Sequence, residues 1–127
     1  MAPPKTALVV DDDKKIAELV AATLRLQGFE VSTATNGLHG YSTYSRNPTQ
    51  WVVTDVEMPG LDGVAMVQCI RGIDPDVKVI YMTGAIDAHR ALLEKKGREF
   101  LVDVLRKPFS QDSLVERMTT EQRRLAS

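Results

Sequence analysis

The sequence predicts one α/β domain, a parallel sheet covered by helices on both faces. Two observations carry that prediction. Short, β-branched apolar runs alternate along the chain with stretches of helical apolar period. Five of each follow one another, and strands joined by helix-length crossovers pair in parallel. The length of 127 residues suits a single core.

Ala7–Val10 is the first strand, followed by a helix over Lys14–Gln27 whose Ile16, Leu19, Val20 and Leu24 form an apolar stripe, with Gly28 as its stop. Phe29–Ala34 alternates as the second strand. Asn36 caps a weaker helix to Arg46, lowered in propensity by Gly37 and Gly40 and ended by Asn47-Pro48. Trp51–Thr54 is a buried-type strand with Asp55 at its end. The loop Val56–Gly63 is dense in turn signals, Pro59-Gly60 and Asp62-Gly63. Val64–Arg71 reads as a helix through Val64, Val67 and Ile70, and Cys69 within it reads as a buried, inert thiol. Asp74-Pro75 resets the chain before the apolar strand Val77–Met82, which ends at Thr83. Asp87 caps a fourth helix to Lys96, with Gly97 behind it. Leu101–Leu105 is the fifth strand, and Ser110 caps a last helix in which Leu114, Met118 and Leu125 share a face.

Charged residues make up 26% of the chain at a net charge of −1, which argues against nucleic acid or an anionic membrane as partner. The single cysteine excludes an internal disulfide and fits a reducing compartment. The N-terminus lacks signal architecture and no apolar run approaches membrane-spanning length, so the expectation is a soluble, cytoplasmic protein. His39 and His89 read as surface residues, and Tyr41, Tyr44 and Trp51 as local packing.

In a parallel sheet of this kind the ligand site lies beyond the C-terminal strand ends. Asp11-Asp12-Asp13 directly follow the first strand. Carboxylates so close repel, by about 4 kcal/mol per pair at ~4 Å and an effective dielectric of about 20. A divalent cation such as Mg²⁺ relieves that repulsion through hard oxygen ligands. Helix capping accounts for one Asp of the three as well as metal binding does. Asp55 ends the third strand, Thr83 the fourth, and Lys107 follows the fifth. Taken singly, each has an ordinary turn or surface explanation. Together they deliver acids, a hydroxyl and an amine to one rim. Such a set suits phosphoryl transfer, with Asp55 attacking phosphorus in line and Mg²⁺, Lys107 and Thr83 holding its oxygens.

Four segments carry a resemblance to a known family: Val9–Asp13, Thr54–Gly63, Tyr81–Gly84 and Arg106–Phe109. They are similar to the signature segments of the CheY-like receiver domain of bacterial response regulators, over residues 5–125. The resemblance implies the flavodoxin-like strand order 2-1-3-4-5 with five helices. It implies that Asp11 and Asp12 are metal-binding acids, Asp55 the phosphoacceptor, and Thr83 and Lys107 phosphate-contacting switch residues. Glu57 would lend its backbone carbonyl to the metal. The implied phosphoryl donor is a histidine kinase or a histidine phosphotransfer protein. A phosphorylation-dependent homodimer is among the states open to it, and the chain is either a stand-alone receiver or part of a larger regulator. One departure concerns Val104, which stands where receivers usually carry Tyr or Phe; Phe100 is the candidate substitute. Glu57 and Ala85 occupy positions that resemble the family's tuning sites for dephosphorylation, although solvation accounts for Glu57 equally well. Two other readings stand beside the switch: a degenerate receiver used as a constitutive docking module, and an aspartate-nucleophile phosphatase. The phosphatase reading wants a second Asp where Glu57 stands.

Overall fold

The structure is a computed structural model that describes residues 4–84, 102–107 and 109–126. Strands β1 (Lys5–Val10), β2 (Phe29–Ala34), β3 (Trp51–Asp55), β4 (Lys78–Thr83) and β5 (Val102–Arg106) form one sheet in the order β2-β1-β3-β4-β5. Every neighbouring pair is parallel. Helices α1 (Lys14–Leu26), α2 (Gly37–Arg46), α3 (Gly63–Arg71) and α4 (Gln111–Ala126) complete the described elements. The predicted helix Asp87–Lys96 lies outside the described residues, as do His89, Ala85 and Phe100. Among the described residues no helix is long and apolar enough to cross a membrane.

Strand alternation divides the core in two. Ala7, Val9, Trp51, Val53, Ile80, Met82 and Leu105 face one side, where Val20 and Leu24 of α1 and Leu114 and Met118 of α4 cover them. Leu8, Val10, Val52, Val79 and Tyr81 face the other side, against Tyr44 of α2 and Val64, Met66, Val67 and Ile70 of α3. Each Val, Leu, Ile or Met among them, when fully buried, contributes about 1.5–3 kcal/mol.

The helix ends follow from capping chemistry. Asp13 caps α1 by accepting from the Lys15 and Ile16 amides, Asn36 caps α2 through the His39 amide, and Asp62 caps α3 through the Ala65 amide. Ser110 accepts from the Ser113 amide at the start of α4. Gly28 ends the α1–β2 turn at φ +90°, where a side chain would be strained.

Two core assignments from the sequence fail. Leu19 is 53% exposed: the stripe of α1 is narrower than its apolar spacing suggests, since Ala17, Val20, Ala21 and Leu24 already fill the contact with the sheet. Cys69 is exposed, because Met66, Val67 and Ile70 take the buried face of α3. The histidine and aromatic readings hold where described: His39 is exposed, whereas Tyr44 and Trp51 are fully buried.

Candidate functional site

The register of the sheet assembles the site. Ala7 pairs with Trp51, Val9 with Val53 and Val10 with Thr54, so Asp11 and Asp55 come next on adjacent strands with the same facing. The Asp11 amide donates to the Ala34 carbonyl at 3.2 Å, prolonging the β1–β2 pairing past the strand end. Thr83 pairs with Arg106, and the Lys107 amide donates to the Thr83 carbonyl at 2.8 Å. Lys107 therefore follows Leu105 onto the same side of the sheet as the two acids.

Carboxylate oxygens of Asp11, Asp12 and Asp55 all lie within 4.8 Å of one another. Asp11 is fully buried and both of its oxygens are engaged: one accepts from the Asp13 amide at 2.9 Å, the other from Lys107 Nζ at 2.8 Å. Lys107 Nζ also stands 3.4 Å from Asp55. Asp12 is exposed, and Asp13 turns away to cap α1. The triplet thus divides into two acids that face the site and one that begins a helix.

Asp55 is 6% exposed, and burial pushes its carboxyl from 3.8 up to about 6, with Lys107 pulling against that rise and Asp11 adding to it. Burial pulls the Lys107 ammonium down, but its hydrogen bond to Asp11 and the attraction of both acids outweigh that, so it is held above its ordinary value. One ammonium against three carboxylates leaves the rim net negative. The donor set, hard oxygens gathered within one ion's reach, fits a magnesium ion.

The backbone that carries Asp55 is held from behind. The Gly63 amide donates to the Val56 carbonyl at 2.9 Å, and the Val56 amide to the Met82 carbonyl at 3.0 Å. A Cβ at Gly63 would collide with the Asp55 carbonyl oxygen and lie 3.2 Å from Thr54 Oγ1. The sequence marks Gly63 only as a turn residue. Its position directly after the capping Asp62, at the first residue of α3, is the signal of this close approach.

Thr83 is fully buried at the end of β4, and its hydroxyl donates to Glu57 Oε1 at 2.6 Å. The Glu57 carboxylate, read from sequence as equally well explained by solvation, has this buried donor. Val104 lies in β5 opposite Tyr81. Lys107 also lines an apolar groove of about 340 Å³ with Ile16, Leu19, Val20, Phe109 and Leu114, which explains where exposed Leu19 points.

Comparison with known proteins gives the family and the fold. The profile of the response regulator receiver domain matches residues 7–119. The transcriptional regulatory protein PrrA of Mycobacterium tuberculosis is 38% identical over 122 residues, which cover 94% of this chain and 51% of that protein. The C4-dicarboxylate transport transcriptional regulatory protein DctD of Rhizobium meliloti is 32% identical over 127 residues, 98% of this chain and 27% of its own length. The chain therefore spans about half the length of one relative and a quarter of the other. Among solved structures, a response regulator receiver domain protein from Clostridium thermocellum superimposes with a TM-score of 0.81 at 29% identity, covering 97% of this chain and 99% of that one. The chemotaxis protein CheY4 of Vibrio cholerae superimposes at 0.83 over 93% of this chain and 98% of its own. Its 22% identity makes that a likeness of fold.

Proposed function

Because the chain belongs to the response regulator receiver domains, we propose that it is a phosphorylation-controlled switch with Asp55 as phosphoacceptor. The observation that carries this reading is the gathering of Asp11, Asp12 and Asp55 within 4.8 Å under a lysine bonded to Asp11 at 2.8 Å. The domain runs over residues 5–125 and acts in the cytoplasm. Its donor is a phosphohistidine on a histidine kinase or a phosphotransfer protein.

Asp55, ionised at neutral pH despite its raised value, attacks phosphorus through a carboxylate oxygen. The new O–P bond forms as the P–N bond to the donor imidazole breaks, and the imidazole leaves with the bonding pair. Lys107, bonded to Asp11 and beside Asp55, faces the equatorial oxygens from the β5 side before the donor arrives. Thr83 brings its hydroxyl from β4 when it turns from Glu57 to the phosphoryl group. Asp11 and Asp12, with Asp55 and the Glu57 backbone carbonyl, would hold Mg²⁺. When bound, the ion supplies the positive charge that offsets phosphoryl oxygens beside the acids. Val104 puts a branched aliphatic side chain at the family's aromatic position, so the switch at Thr83 acts without a ring there.

The test is incorporation of phosphoryl from a small acyl phosphate. One hydroxylamine-labile group per chain is expected, dependent on Mg²⁺ and absent in Asp55→Asn. Equal labelling of that variant would exclude Asp55 as the acceptor.

A further inference from the structure

We propose that Glu57 is a latch on the switch threonine: its carboxylate competes with the phosphoryl group for the Thr83 hydroxyl proton and holds the unphosphorylated protein in its off state. The inference rests on the reading of Asp55 as phosphoacceptor. The 2.6 Å separation of Thr83 Oγ1 from Glu57 Oε1 lies in the range of charge-assisted O–H···O⁻ bonds. A hydroxyl has one proton to donate. While it is given to Glu57, it is not given to an oxygen on Asp55.

The setting makes this an exclusive choice. Thr83 has no accessible surface, and its backbone is tied on both sides, by the Lys107 amide on its own carbonyl and by the Val56 amide on the Met82 carbonyl. The main chain cannot shift to serve both acceptors, so only rotation of the side chain re-aims the hydroxyl. Glu57, by contrast, is an exposed residue two positions beyond Asp55 on the β3–α3 loop, between the buried Val56 and Met58, and only its side chain reaches the hydroxyl. Solvation alone gives no reason for an exposed carboxylate to stand so close to a buried hydroxyl.

Charge acts in the same direction. Phosphorylation replaces the single charge of the Asp55 carboxylate with a phosphoryl group of about −1.5 to −2, a gain of up to about one negative charge two residues from Glu57. The latch is thus a rival acceptor and a like charge, and both oppose the engaged state. A charge-assisted hydrogen bond corresponds to roughly ten-fold or more in an equilibrium constant, and less where one partner is solvated. Removing the latch should therefore favour the engaged state by about five-fold to ten-fold.

A double-mutant cycle separates the bond from the charge. The affinity for beryllofluoride, an acyl-phosphate mimic, is measured with Mg²⁺ from amide NMR shifts in wild type, Glu57→Ala, Thr83→Val and the double variant. Glu57→Ala should tighten binding about five-fold to ten-fold in the wild-type background. In the Thr83→Val background it should tighten it by less than about two-fold. Equal tightening in both backgrounds, or none in the first, overturns the latch. Should wild type fail to bind the mimic at all, the phosphoacceptor reading fails instead, and the latch is decided in the unliganded protein. There the three-bond couplings of Thr83 should move towards rotamer averaging in Glu57→Ala, and unchanged couplings overturn it.

Discussion

Replacing Asp55 with Asn should stabilise the metal-free protein at neutral pH, although it removes an ion-pair partner of Lys107. The Asp55 carboxyl is displaced from 3.8 to about 6, chiefly by burial. That displacement corresponds to about 3 kcal/mol of preference for the neutral form in the folded state. Below about pH 4 the group is protonated folded and unfolded, and the preference has no effect on stability. Between about pH 4 and pH 6 the native state keeps a proton that the unfolded chain has released, so stability falls as pH rises. Above about pH 6 both states are ionised and the native structure carries the whole penalty. Asn has the shape of the protonated acid and no titration. Urea unfolding in chelator should therefore show Asp55→Asn more stable than wild type by up to about 3 kcal/mol at pH 7.5, with the gap closing towards pH 4. Magnesium at a hundred times its dissociation constant should return about 2.7 kcal/mol to wild type and less to the variant. A variant less stable at pH 7.5, or a gap that does not change with pH, would refute the view that burial dominates at Asp55.

Gly63→Ala tests the support behind the same residue. In an open helix position this change gains about 1 kcal/mol; here the new Cβ meets the Asp55 carbonyl, so a loss of about 2–3 kcal/mol is expected on denaturation, and any gain refutes the close approach. Asp13→Ala should lower stability by about 1 kcal/mol through loss of the α1 cap, with unchanged magnesium affinity by titration. Asp12→Ala should do the reverse, weakening the metal and sparing the fold; matching effects of the two would undo the division of the triplet.

Much of the architecture was legible because β1, β3 and β4 are apolar on both faces, β2 alternates, and each described helix begins at a capping side chain. Asn36 marks a helix start from sequence alone, and the structure keeps it. Strand ends were placed less well. Lys5, Thr6, Lys78 and Arg106 belong to strands because their backbones pair, a bond that apolar patterning does not register. Leu19 and Cys69 failed for a related reason: helical period marks a stripe, but the neighbours decide how wide a stripe is covered. At the site, residue identities could be read off strand ends. The bond from Thr83 to Glu57 could not, since it spans 26 positions and depends on how a loop crosses the end of β4.

The parity of the strands explains why an acid cluster is tolerable here. Asp11 continues the facing of Ala7 and Val9, Asp55 that of Trp51 and Val53, and Lys107 that of Leu105. A slip of one residue in β1, β3 or β4 would exchange the side chains packed under α1 and α4 with those packed under α2 and α3. Neither half of the core would then fit, and the rim residues would turn to the other face. The buried Val, Leu, Ile and Met side chains of that core, each worth about 1.5–3 kcal/mol, outweigh the repulsion between a few carboxylates that share one lysine. Register is thus fixed by the core, and the charges are carried to the rim as a consequence. Mutations should divide accordingly: neutralising Asp55 relieves the fold while it disables the site, whereas truncating Val9 or Val53 weakens the fold and loosens the register on which the acids depend.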